Sequence, residues 1–216
     1  MVTIEPSVVE NGLMSTNPAP PTDGRRARRD SNREVVLDAV LELFGEGVVN
    51  PTPEIVAARV GLSPRSVYRY VASRDDLLRA AIDRHVARLT PLLALDAIGQ
   101  GPLAARVAAL IEQRLALYAA VAQTNPVSRA LALRNEVIAA RLAEGMDVLR
   151  EQVANHFAPE LQHLPVNERR ATLDALDALV QIETLHYFTA TLGRSSRETR
   201  ELLSRSLLSL LERKPT

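Results

Sequence analysis

Residues 55–78 read IVAARVGLSPRSVYRYVASRDDLL, and this stretch decides the fold. Just ahead of it, Thr52 is a natural helix N-cap and Pro53 suits the first helical position, where its missing N–H is no loss. Gly61 ends that helix, predicted over 53–60. Ser63 caps a second short helix with Pro64 at its first position. Only Gly61, Leu62 and Ser63 separate the two. Within the second helix, 63–71, Val67 and Val71 are four apart and face inward with Leu62. Arg65, Ser66, Tyr68, Arg69 and Tyr70 are left facing outward. Ser73 then caps a further helix, with Asp75 and Asp76 placed at its positive end.

Two short helices joined by a three-residue turn containing glycine make a helix-turn-helix, whose second helix enters the DNA major groove. That groove is about 12 Å wide and admits one α-helix. Arg65 and Ser66 lie in the first turn, where such a helix reaches base edges, and an arginine fork matches guanine O6 and N7. Tyr68 and Tyr70, with Thr52 and Arg74 at neighbouring helix starts, suit phosphate oxygens, and Arg69 is a further DNA-facing candidate. Segment 63–74 holds three arginines and no acid, while the whole chain balances 26 basic against 26 acidic side chains. Local charge therefore carries the case; global charge does not. A solvated basic helix has the same charge, so the helix lengths, the turn and the Tyr-x-Tyr spacing must be weighed with it.

The same segment resembles the N-terminal DNA-binding domain of TetR-type transcriptional regulators, over 46 residues, 33–78. Leu62-Ser63, Val67-Tyr68, Tyr70 and Leu77-Leu78 match that family's pattern well, and Val56-Ala57 and Val60-Gly61 match it loosely. Val71 stands where the family usually has Phe, and Arg74 where it has Lys; the apolar role and the charge are kept. The resemblance implies an Ω-shaped homodimer whose C-terminal domains bind small molecules and whose last two long helices build a four-helix bundle. Here that pair is expected at 167–192 and 195–212, one face carrying Leu173, Leu176 and Val180 and the other Leu203, Leu207, Leu210 and Leu211. Packing of those residues inside a single chain is the alternative.

Outward from the motif, an all-α chain is expected. The 216 residues are 46% hydrophobic but only 3% aromatic, so the core must be aliphatic, and with no cysteine there are no disulfides or thiolate metal sites. Lys214 is the only lysine. Residues 1–24, with four prolines, read as a disordered tail, and RRARRDSNR (25–33) as a basic arm. Helices are predicted at about 32–45, 102–123 and 127–157, the last with a break near 133–135. Pro91 should end or kink the helix that Ser73 starts. The expected division is the tail (1–24), a helix-turn-helix domain with its arm (25–73), and a helical effector-binding and dimerisation domain (74–216).

Ligand-binding candidates are Arg114 and Tyr118, four apart on one helix, and His186 beside Glu183 and Tyr187; that last cluster fits a dimer interface equally well. The composition favours an apolar or amphipathic effector, with Arg114 able to pair with one carboxylate. His85 falls on an apolar face as a core histidine, and His156, Glu160 and His163 lack metal-ligand spacing because Pro159 interrupts them. No nucleophile elbow, phosphate loop or zinc-protease motif is present, so neither catalysis nor a cofactor is expected. No stretch reaches the ~18–20 apolar residues of a membrane span, and the N-terminus has no secretory pattern, so a cytoplasmic setting is expected. The leading expectation is a homodimeric repressor that binds a palindromic double-stranded operator and is released by an effector. The alternatives are an activator or constitutive regulator, and a helical protein-interaction module.

Overall fold

The computed structural model describes residues 22–212, and every element among them is helical. α1 spans Thr22–Gly45 and so begins ten residues before the expected start at 32. Its C-terminal half is anchored by Val36, Val40 and Phe44, all fully buried. Once that nucleus exists, adding residues such as Arg and Ala costs little, so the helix runs back through the arginine-rich segment. The arm is therefore helical from Arg25 onward. Of the tail expected over 1–24, residues 1–21 lie outside the described residues and Thr22–Gly24 open α1.

α2 (Pro53–Val60), α3 (Pro64–Val67) and α4 (Arg74–Leu89) complete a head with α1. Val56, Val67, Leu77 and Leu78 close its core over α1. That core does not stop at residue 73: it takes in Leu77, Leu78, Ala81 and Ile82 of α4 and also Val127, Leu131 and Ile138 from beyond it. As Pro91 foretold, α4 ends at Leu89 and passes into a tight 3-10 turn over Thr90–Leu93.

α5 (Leu103–Val121), α6 (Asn125–Ala132) and α7 (Glu136–His156) follow. The break between α6 and α7 falls where it was expected, because Asn135 Oδ1 accepts from the N–H groups of Val137 and Ile138 at 3.1 and 3.2 Å. α8 (Ala158–Leu161) is a single turn with Pro159 near its start. α9 (Val166–Val180), α10 (Ile182–His186) running into a π-turn over Tyr187–Thr191, and α11 (Ser196–Leu211) finish the described chain. The reciprocal Ser195–Glu198 capping box starts α11 as the sequence predicts.

Two expectations need correction here. The single helix predicted over 167–192 is broken at Gln181, whose backbone is extended (φ −67°, ψ 150°). The break falls where the chain passes from one core, which buries Val180, to another, which buries Ile182. Leu176, Val180, Leu203 and Leu207, expected to face a second subunit, are instead buried within this chain against Leu110, Ile111 and Phe157. Leu173, Leu210 and Leu211 pack partly against the same core.

Candidate nucleic-acid interface and ligand cavity

The helix-turn-helix is held by contacts within three residues of sequence. Thr52 Oγ1 accepts from the Ile55 N–H at 3.4 Å and caps α2. Gly61 takes the left-handed conformation (φ 68°, ψ 28°) that turns the chain out of α2. Ser63 Oγ accepts from the Ser66 N–H at 3.2 Å, and the two serine hydroxyls bond at 2.9 Å. Ser66 is thus engaged in fixing the first turn of α3. The expected helix over 63–71 is regular only for Pro64–Val67, after which Arg69 and Tyr70 donate to carbonyls three residues back. The tighter winding brings Val71 into the head core beside Val67 before Ser73 begins α4.

The structure brings Arg65, Tyr68 and Arg69 together as exposed side chains, and neither arginine is ion-paired among the described residues. Tyr70 departs from its expected outward position and packs partly against the head core. Arg74 is half-buried, in a crevice with Asn50, Leu133 and Arg134, and its Nε has no partner. The first half of α1 lies beside this face: Arg29 Nη2 donates to the Arg69 carbonyl at 3.3 Å.

Beneath the head is a cavity of about 310 Å³. One wall is the head itself, with Leu41 and Phe44 of α1 and Ile82, Val86 and Leu89 of α4. Leu117 and Val121 of α5, Leu142 and Leu149 of α7 and Ile182 of α10 form the rest of the apolar lining. The polar groups are few. His85 Nε2 and Thr124 Oγ1 meet at 3.3 Å across the α4–α6 junction. Burial, with the charge of Arg88 as a lesser cause, holds His85 below its ordinary pKa, so it is neutral at pH 7. Asn125 and Ser128 face the cavity from α6. At its edge Arg129 pairs with Glu183, and Arg141 bridges Asp83 at 2.6 Å and Glu144 at 2.7 Å.

Of the ligand candidates read from the sequence, Glu183 lines this cavity, while Arg114, Tyr118 and His186 sit elsewhere. Arg114 is fully buried and donates to the Leu149 carbonyl at 2.8 Å and to Gln152 at 2.7 Å, tying α5 to α7. Burial pushes its pKa down to about 10 despite Asp177 nearby. Tyr118 meets His186 Nδ1 at 3.4 Å and accepts from Thr189 at 2.7 Å, joining α5 to the π-turn. None of these three lines the cavity. His85, Thr124, Ser128 and Arg129 line it instead, with Glu183 opposite. The readable signal was in α6: Val127 and Leu131 share one face, and Asn125, Ser128 and Arg129 fall on the other. His156 is buried, with Nε2 donating to the Arg106 carbonyl at 3.0 Å, and Glu160 is paired with Arg106. Among the described residues no group of three or more His, Asp or Glu suits a metal ion, and no helix is long and apolar enough to cross a membrane.

Solved structures share this fold. A TetR-family transcriptional regulator from Streptomyces coelicolor superposes with a TM-score of 0.66 over 84% of this chain and 80% of its own, at 19% identity. The chain has the TetR-regulator fold. A protein of Streptomyces coelicolor A3(2) described as a transcriptional regulator has this fold too, with a TM-score of 0.62, 22% identity and coverage of 84% and 98%. So does a regulator from Saccharomonospora viridis solved in complex with choline, with a TM-score of 0.67, 17% identity and coverage of 83% and 96%. At these identities the likeness shows the TetR fold alone. No family model matches the sequence, and a search of curated proteins finds no match.

Proposed function

We propose that the chain is a DNA-binding regulator of transcription, acting as a homodimer on a palindromic double-stranded operator and released by a small molecule. The observation that carries this is one continuous core: the head presenting Arg65, Tyr68 and Arg69 to solvent is also the wall of the cavity. Arg65, in the first turn of α3, reads a base edge. Tyr68, Arg69 and the hydroxyl of Tyr70 hold phosphates, and Thr52 and Ser66 fix the two helix starts that set the register. Arg74 adds charge at the start of α4. The arginines of α1, carried on a helix beside α3, follow the phosphate backbone instead of entering a groove as an extended arm.

Dimerisation is assigned to the outward faces of α9–α11, where Ala171, Ala178, Tyr187 and Leu192 are exposed. Two recognition helices one DNA turn apart require such a two-fold pairing. The effector enters the cavity beneath the head, and the chain works in the cytoplasm, without a catalytic step. The choline of the Saccharomonospora viridis regulator is not carried over, because quaternary ammonium groups are held by cages of Phe, Tyr and Trp, and Phe44 is the one such residue among the described residues of this lining.

The test is selection of duplexes from a random pool by the purified chain. An inverted repeat with half-sites about 10 base pairs apart, or a small multiple of that, is expected. Failure of any sequence to enrich, with equal salt-sensitive affinity for every duplex, would remove the regulator reading.

A further inference from the structure

A crevice of about 480 Å³ opens between the start of α4 and the turn that joins α6 to α7. The head supplies Asn50, Arg74 and Asp75, and the turn supplies Leu133, Arg134 and Asn135. Ser73 and Asn135 cap the two helices that begin here, so the positive ends of both α4 and α7 lie at the crevice.

The lining is basic. Arg74 and Arg134 stand against one acid, Asp75, whose Oδ1 accepts from Asn135 Nδ2 at 3.5 Å. Neither arginine has an ion pair or a side-chain hydrogen bond among the described residues. Beyond α4 most arginines are committed: Arg129, Arg141 and Arg150 each meet a carboxylate, and Arg114 and Arg169 donate to carbonyls. Arg134 is exposed and uncommitted. Arg74 acts here by its charge, its Nε being closed to solvent.

Position decides which anion fits. Asn50 lies two residues before Thr52, the cap of α2, and Arg74 is the first residue of α4. On the reading of the chain as a DNA-binding regulator, a DNA strand runs past these two helix starts. A small free anion would meet an open crevice, where single ion pairs are weak. A phosphodiester already held by Arg65, Tyr68 and Arg69 arrives with its association cost met. We infer that Arg134 is a DNA contact supplied from outside the head: with Arg74 it holds one backbone phosphate of each half-site in this crevice. The contact reads no base. Its turn joins α6 to α7, two helices that also line the ligand cavity, so the phosphate is held by an extension of the cavity wall.

The test uses Arg134→Gln and Arg134→Lys in the full chain, titrated with the selected operator and with a random duplex at several salt concentrations. Arg134→Gln is expected to lose about five-fold on both duplexes, the worth of two exposed ion contacts per dimer. The slope of log affinity against log salt should fall by about two, one for each half-site. Arg134→Lys keeps the charge and should restore most of both. Ethylation of single operator phosphates gives a second readout. One phosphate per half-site should weaken binding of the unchanged chain when ethylated and make no difference to Arg134→Gln. Unchanged affinity and slope in Arg134→Gln would overturn the inference. So would a loss confined to the operator, or the same ethylation pattern in both proteins. The unchanged chain's own preference for its operator reports on the regulator reading, so failure of that reading and failure of this inference are distinguishable.

Discussion

The α2–α3 unit and helix α6 are both short, and they are held in place by different means. α2 and α3 are fixed by caps whose partners are three residues away: Thr52 to Ile55, Ser63 to Ser66, and Ser73 to Asp76 at the next helix. α6 has no side-chain cap. It is held by Val127 and Leu131, buried in the head core, and by the Arg129–Glu183 pair on its other face. The shape of the helix-turn-helix is therefore set locally. The position of α6 depends on what lies on both sides of it, so the contents of the cavity can bias the head through α6, α4 and α1.

The largest effect that separates the two modes is expected from Leu131→Ala. Leu131 is 7% exposed in the head core, and its truncation should cost about 2–5 kcal/mol in denaturant unfolding. A loss below about 1 kcal/mol would show that α6 merely leans on the head. Next is Arg65→Ala, expected to leave stability unchanged, weaken the selected operator by about 1–3 kcal/mol and relax the preference at one base pair. Equal weakening on all duplexes would make Arg65 a phosphate contact. Gly61→Ala comes third, at about 1–2 kcal/mol of stability. An added Cβ at Gly61 meets nothing within 4 Å, so the whole cost is the left-handed backbone, and a neutral outcome would mean that the turn relaxes.

The smallest effect is pH-dependent. His156 is held below its ordinary pKa by burial, and His85 likewise. A histidine whose folded pKa is lowered gives stability that is complete above about pH 6.5 and is lost as pH falls through the folded value. The melting temperature should therefore decline as the solution is acidified below pH ~6.5, at values still above those at which Asp38 and Glu112 protonate, since their arginine partners hold both carboxyls low. His156→Gln should flatten that decline. A melting temperature that rises on acidification would give these histidines the opposite role.

The same contrast explains what the sequence disclosed. Thr52, Gly61, Ser63, Ser73, Asn135 and Ser195 act on their nearest neighbours, so the helices they start or stop were legible from the residue order. The extra turns of α1 were not, because they depend on an anchored helix behind them, and neither was the break at Gln181, where no Pro or Gly marks the passage from the core of Val180 to that of Ile182. Arg114 and Tyr118 share a helix face as their spacing requires. That face is turned toward α7 and α10, and nothing in the local sequence says so. The cavity joins α1, α4, α5, α6, α7 and α10, so its polar members are neighbours only after folding.

The central claim is that filling this cavity is felt by the DNA-reading head, and Gly145→Leu tests it most directly. Gly145 lies on α7 in the cavity lining, and a Cβ added there meets nothing within 4 Å, so the leucine can occupy the space a ligand would take. Operator affinity of the variant is to be measured beside that of the unchanged chain. The account predicts that it falls by about 1–3 kcal/mol, the usual range of coupling between sites. Unchanged operator affinity in a variant that keeps its helical circular-dichroism signal would contradict it.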